Sequence, residues 1–473
     1  HKDQWRWARR KGSQLWEPVP EDRDQAFVRY SGLALSLIRP SQPRLVNFGP
    51  DYASIFGLTW QARFLDRRHL AELEWSQWQE AIGKMQTSIT DASIDAAIGR
   101  LPAQYRRITG ERTAFELKGR RRLLPEAARK FYEQLAEDVE IHGSDEAERV
   151  SVTLADNSRI RVAVTGPSGD RTFVRRFDPS ETKTVRLYLK RGGDEVAREA
   201  GTLALALRVI GGEGDDVLDD SRAGATRFYD ESGENRVIVG AGTSEDHRPY
   251  RHPLDAAGNP ERDWGGRRAY VPWISAGSDL GLFLGGSVAS TTYSFRHAPY
   301  ARRQTFSGGF STGLGAFSAE YKGDFLRENQ TARFRLHARA SELDLVCFYG
   351  IGNETVSDTP EAFFEVRQRQ VSISPQYQFD YRAMDISIGA LAQYTREPPR
   401  TSFAAVTRPY GFGGFGKIGP RIDMEMGNRN RVFGGPRGGH VQVGGAFFPR
   451  VWSVTDSFGE VHGEAAGFVR AAL

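Results

Sequence analysis

Between Thr331 and Tyr381 apolar and polar side chains take turns. In T-A-R-F-R-L-H-A-R-A the apolar set is Ala332, Phe334, Leu336 and Ala338, and Arg333, Arg335, His337 and Arg339 take the other parity. In Q-V-S-I-S-P-Q-Y-Q-F-D-Y the same rule sets Val371, Ile373, Tyr377, Phe379 and Tyr381 against Ser372, Ser374, Gln376, Gln378 and Asp380. A period of two means strands, because successive side chains of a strand point to opposite faces. One aromatic-rich face and one charged face suit either a transmembrane barrel, with lipid outside and water inside, or a soluble sheet with one buried face. The alternation opens at Leu280, Leu282 and Leu284 and continues through Met384, Ile386, Ile388 and Ala390, then Ile422, Met424 and Met426, then Val441 and Val443. It changes phase between Phe310 and Phe317, which predicts a tight hairpin at Thr312–Ala316. Such a length of alternation predicts roughly eight to ten antiparallel strands long enough to span a membrane.

The earlier chain follows other rules. Residues 1–142 read as mainly helical: Ile94, Ala97, Ile98 and Leu101 follow Asp91 and Ser93 at helical spacing, and Ala128, Phe131, Tyr132 and Leu135 do so behind Pro125, placed at a helix start. Trp60, Trp75 and Trp78 are expected as core or interface anchors, and Arg120–Arg122 as a solvated helix face. Over residues 143–245 short apolar runs (R-V-S-V-T-L, R-I-R-V-A-V, T-V-R-L-Y-L, L-A-L-A-L-R-V-I) alternate with D-N-S, P-S-G-D and R-G-G-D turns, which predicts a small all-β domain. Residues 246–272, rich in Pro, Gly and charge, suit a linker, and 273–473 hold the alternating strands. The expected fold is therefore multidomain: a helical region, a small all-β domain, then an antiparallel β-barrel.

Composition narrows the partners. The 473 residues carry 64 basic and 60 acidic side chains, a net charge of +4, so nucleic acid gains no support as a partner. The single cysteine, Cys347, sits in an apolar run and reads as a small hydrophobe, which excludes a disulfide framework. No apolar run reaches the roughly 18–20 residues of a spanning helix, so a membrane protein here has to cross with strands. The chain starts at His1 and stops within a strand-like run, and both ends read as cut.

Two stretches carry candidate chemistry. In H-K-D-Q-W-R-W and W-E-P-V-P-E-D-R-D-Q-A-F, Asp3, Asp22 and Asp24 offer hard oxygen ligands from two loops, suited to a magnesium ion that bridges nucleotide phosphates. This arrangement resembles the atypical kinase folds of the HipA and CotH type over about 30 residues; the resemblance implies Asp22 as metal-binding Asp, Asp3 with Gln4 as second ligand, and magnesium with ATP as cofactor. It brings neither a Gly-rich phosphate loop nor a strand lysine, and an intact catalytic apparatus is not expected in this chain. The simpler reading of Asp22 and Asp24 is as turn and ion-pair residues. Gly211–Asp219, G-G-E-G-D-D-V-L-D, fits a calcium-binding nonapeptide in which Asp216 supplies an oxygen ligand. A single copy cannot complete a site shared between turns of a parallel roll, so a solvated acidic turn stands beside calcium as the alternative.

The segments Y-S-F-R-H-A-P-Y-A-R-R-Q-T-F-S-G-G-F-S-T-G and F-Y-G-I-G-N-E-T (Phe348–Thr355), with the strand pair that follows, resemble the BamA/TamA-type outer-membrane assembly family, also called bacterial surface antigens, over residues 273–473. The resemblance implies a larger even-stranded barrel of which this chain holds about half, an outer-membrane location with the N-terminal region periplasmic, and partners drawn from outer-membrane lipid and client outer-membrane or exported proteins. A phosphotransfer enzyme tethered to the membrane and a soluble calcium-binding or adhesion module are the alternatives. From the residues themselves, Gly350 and Gly352 allow a sharp turn at a strand end and Asn353 tolerates a left-handed backbone.

Overall fold

The computed structural model describes residues 5–468 except 14–15, 22–24, 33–34, 36–38, 40–41, 156–157, 200, 202–203, 256–257, 278–280, 352–358, 383, 397–401, 428–429 and 433–434. The chain divides into two compact units, His1–Pro249 and Tyr250–Leu473.

The first unit opens with a hairpin, β1 (Trp5–Arg9) and β2 (Trp16–Pro20), and continues into helices. Among them are Trp75–Ser88, Asp91–Gly99 and the 26-residue Glu111–Ala136. The first starts where the Glu74 backbone N–H donates to Gln77 Oε1 at 2.8 Å, and the second where Thr90 Oγ1 accepts from Ser93 N at 3.1 Å, so each end satisfies a donor with no partner within its helix. Trp75 and Trp78 pack on Phe131 and Tyr132 of the long helix, as their anchor reading requires.

Two expectations in this region need correction. Pro125 lies inside the helix Glu111–Ala136 rather than at its start. A proline there cannot donate to the carbonyl four residues back. That carbonyl, Arg121 O, accepts instead from Gln86 Nε2 at 3.1 Å, so a neighbouring helix repairs the interruption. Nor are Arg120 and Arg121 a solvated face. Arg120 donates to Gly49 O at 2.9 Å and lies over the rings of Phe48 and Tyr52, while Arg121 donates to Ile89 O and Gln86 O at the end of the Trp75–Ser88 helix. Free backbone carbonyls at a helix end draw such donors.

From Asp138 the chain becomes β: β3 (Asp138–His142), β4 (Arg149–Leu154), β5 (Ile160–Thr165), β6 (Arg171–Phe177), β7 (Thr184–Arg191), β8 (Glu195–Arg198), β9 (Ala206–Glu213), β10 (Val217–Asp219), β11 (Arg227–Tyr229), β12 (Arg236–Ile238) and β13 (Ser244–Asp246). The all-β expectation for this stretch holds, and its topology is a coil. From β7 on, the chain passes back and forth between two sheets, β12-β10-β8-β4-β5-β6 and β13-β11-β9-β7-β3, pairing in parallel with the strand one turn earlier. Val150, Val152, Ile160 and Val162 of one sheet and Val139, Ile141, Leu187, Leu189 and Val209 of the other form one core, each no more than 2% exposed.

The second unit is one antiparallel sheet: β14 (Gly266–Gly277), β15 (Gly281–Ser294), β16 (His297–Ser311), β17 (Ala316–Leu326), β18 (Arg333–Cys347), β19 (Glu365–Tyr381), β20 (Met384–Arg396), β21 (Gly414–Gly427), β22 (Asn430–Val432), β23 (Gly435–Phe448) and β24 (Phe458–Phe468). From β14 to β21 each strand pairs with the next, and β23 joins β21 to β24 and carries the short β22. Eleven strands replace the eight to ten read from the pattern; among the described residues they form an open sheet rather than a closed ring. The turn between β16 and β17 falls where the phase change put it, and β18 takes its one register shift between Ser341 and Asp344.

Candidate functional site

Two arrangements of polar residues stand out, one in each unit. In the sheet, register decides everything. Phe325 faces Phe334, Phe334 faces Tyr377, Tyr377 faces Ile388 and Ile388 faces Ile422, so one apolar row crosses five strands. The next row on the opposite face runs Arg303, Asp324, Arg335, Gln376. The apolar side is open: Phe306 is 56% exposed, Tyr377 50% and Ile388 50%, with Phe310, Phe317, Val371, Met424 and Val443 also exposed. Rings of neighbouring strands touch across it, Phe306 with Tyr321 at 4.7 Å and Phe334 with Tyr377 at 5.4 Å.

The polar side is knitted together. Asp324 accepts from Tyr300 Oη at 2.8 Å, Gln378 accepts from Arg335 at 3.0 Å, and Asp423 accepts from Gln376 at 2.7 Å and from Arg421 at 2.7 and 2.9 Å. Glu320 binds Lys322 and His337. These side chains border a cavity of about 530 Å³ lined by Arg303, Lys322, Asp324, Arg335, Arg421 and Asp423, among others. Charges of both signs line it, which suits water and hydrophilic groups and gives no strong preference for one ion.

In the coil, one position repeats. Glu148, Asp194, Asp216 and Asn235 each stand just before a strand of the same sheet, β4, β8, β10 and β12. Each of the last three accepts from the backbone N–H of the one before it: Glu148 N to Asp194 Oδ1 at 2.7 Å, Asp194 N to Asp216 Oδ1 at 2.9 Å, Asp216 N to Asn235 Oδ1 at 2.8 Å. The facing sheet adds Asp230, whose Oδ1 accepts from Ser232 N at 2.9 Å. The second oxygens of Glu148, Asp194, Asp216 and Asp230 are buried and take no hydrogen bond. Burial lifts the Asp194 carboxyl to about 7, with Asp216 and Glu148 adding to the rise against the bond from Glu148 N. Burial likewise lifts Asp216 to about 6, with Asp230 adding to the rise against the bond from Asp194 N.

Of the residues singled out in sequence, Asp216 thus lies in a row of carboxylates on a parallel coil instead of in a solvated turn. Asp194, Asp230 and Glu148 escaped the sequence reading. Their signal was there: Asp194, Asp216 and Asn235, separated by 22 and 19 residues, each stand two places before an apolar residue of a short strand. Asp3, Asp22 and Asp24 lie outside the described residues, as do Gly352–Thr355 of the F-Y-G-I-G-N-E-T loop. Within that loop Gly350 has φ +104°, a positive φ that glycine adopts readily, consistent with the sharp turn read there. No helix among the described residues is long and apolar enough to cross a membrane, which leaves strands as the means of crossing open. No family model, curated protein or solved structure matches this chain.

Proposed function

We propose that residues 266–468 are the membrane-spanning part of an outer-membrane β-barrel protein of the BamA/TamA type, which inserts or exports proteins, with the region before them in the periplasm. The observation that carries this reading is the inverted partition of the sheet. Its large apolar side chains face outward over strands of 11–17 residues, apart from the short β22, and its ion pairs and amides face the other way. In water such a face would be a large exposed apolar patch, whereas in lipid it is ordinary surface. The strand length agrees: a tilted strand needs about 9–11 residues to span the hydrocarbon. An open sheet cannot persist in lipid, because unpaired backbone groups at its two outer strands would each cost several kcal/mol. The proposal therefore includes further strands that close the ring, as the resemblance to a larger even-stranded barrel implies. The insertion or export role rests on that resemblance, and the mixed-charge face supplies the wet interior such a role needs.

The test is partition of the chain together with the strands that close its ring. Expressed with an export signal, it should be found in the outer-membrane fraction, resist extraction at high pH, and stay soluble after purification only in detergent or lipid. A chain that is monomeric and soluble without detergent overturns the reading. Reconstituted with unfolded outer-membrane proteins, it should speed their insertion; a correctly inserted chain that leaves that rate unchanged removes the assembly role and keeps the fold.

A further inference from the structure

The coil carries a second inference from an independent observation. Asp216 and Asp230 are 2% and 3% exposed, and each uses one oxygen on a backbone N–H. Their other oxygens, both without a hydrogen-bond partner, are aimed at the same small space beside Gly211, where a Cβ would overlap both. Glycine at 211 is therefore what leaves the space open. The row Leu187, Tyr188 on β7, Val209, Ile210 on β9 and Phe228, Tyr229 on β11 runs in register, so Gly211 and Asp230 occupy successive rungs of one ladder while Asp216 reaches in from the facing sheet. Among the described hydrogen bonds and ion pairs, none brings a Lys or Arg to Asp194, Asp216 or Asp230. Two buried carboxylates that share a space have lost their water and repel each other unless a proton or a cation lies between them.

We propose that the Asp216–Asp230 pair binds a divalent cation of the calcium type, held inside the coil beside Gly211 and completed by backbone carbonyls and water. Calcium fits this donor set because it takes oxygen ligands only, mixes carboxylates with carbonyls and waters, and tolerates irregular geometry. Magnesium demands a near-octahedral shell and gives up its water reluctantly, so it suits a closed pocket with two protein carboxylates less well. No three His, Cys, Asp or Glu side chains gather at one point among the described residues, so zinc-type ligation is not what this site offers. The ion would link β9, β10 and β11 and tie the two sheets together at their third and fourth turns.

The full chain in detergent, stripped with a chelator, is titrated with calcium by calorimetry, and with terbium whose emission is excited through tyrosine. Calcium should bind, raise the melting temperature by several degrees and displace terbium, and magnesium should do so far more weakly. Asp216→Asn and Asp230→Asn should each lower calcium affinity by about tenfold or more, since fewer charged ligands weaken such sites. Glu213→Gln, on the exposed part of the same turn, should leave affinity unchanged. Gly211→Ala, whose added Cβ would occupy the space between the two oxygens, should abolish calcium binding in a chain that keeps its native circular dichroism, which locates the ion even where an Asp variant does not fold. Absence of calcium binding by the stripped chain, binding that survives both Asp substitutions, or binding that Gly211→Ala leaves intact overturns the proposal. Failure of membrane partition would leave this result untouched, because the two rest on different units.

Discussion

The coil and the eleven-stranded sheet are both β and solve opposite problems. The coil hides its apolar residues between two sheets, with Val185, Leu187, Leu189 and Val209 at 0% exposure, and shows water part of its charged set, such as the exposed pair Arg149 and Glu195, while burying others such as Arg186, Asp216 and Asp220. The sheet shows its apolar residues and gathers Arg, Asp and Gln on its other face. Similar side chains in similar backbone thus stabilise the fold in one unit by leaving water for protein and, in the proposed membrane reading, would do so in the other by leaving water for lipid. Every substitution that inserts or removes charge should therefore change meaning between the two units.

The largest effect is expected at the coil core. Leu187→Ala, at a position with no exposure, should cost about 2–5 kcal/mol, read from the denaturant-induced unfolding of the first unit. Next comes the sheet's outer face. Tyr377→Arg should cost about 2–4 kcal/mol if the residue sits near the bilayer midplane, measured by unfolding from lipid vesicles, whereas Gln376→Arg, one residue away on the other face, should be nearly silent. Equal effects of the two would break the comparison, since they would give both faces the same surroundings.

How much of this was legible beforehand follows from strand length. An apolar/polar alternation held over 11–17 residues announces both strand and face, so β17, β19 and the hairpin after Ser311 could be read directly. Strands of three to eight residues announce existence without direction. Nothing in T-V-R-L-Y-L says that β7 pairs in parallel with β9 rather than in a hairpin, and nothing in G-G-E-G-D-D says that Asp216 meets Asp230 from the facing sheet. Pro125 was misplaced because its compensation, Gln86, lies 35 residues from the carbonyl it satisfies.

A smaller effect tests the seam between the helices and the coil. Glu140 accepts from Arg67 at 3.1 Å and meets Arg186 at 3.4 Å and His142 at 3.6 Å. Burial by itself would raise its pKa, but the bond to His142 and the charges of Arg67 and Arg186 outweigh burial and hold the carboxyl well below the usual range. A carboxyl depressed in the fold contributes stability that is fully present above its unfolded value of about 4.3 and is lost as pH falls through the folded value. Glu140→Gln should cost about 1–3 kcal/mol at neutral pH, and the gap from the parent chain should close as pH is lowered below 4. A gap that stays constant with pH would remove the ionic account. The least effect is expected on the coil's outside, where Arg149→Ala should cost no more than about 0.5 kcal/mol, as ordinary wet surface does.

The taper of the coil has a consequence for how it opens. Its early strands have four to eight residues, and its last four, β10, β11, β12 and β13, have three residues each. Each rung leans on its neighbours alone, so such a stack frays from its weakest end as a zipper does. Amide deuterium uptake should be quickest at Ser244–Asp246, slower at Arg227–Tyr229 and slowest at Thr184–Arg191. An ion seated beside Gly211 would act as a stop on that zipper, placed where the rungs become too short to hold by themselves.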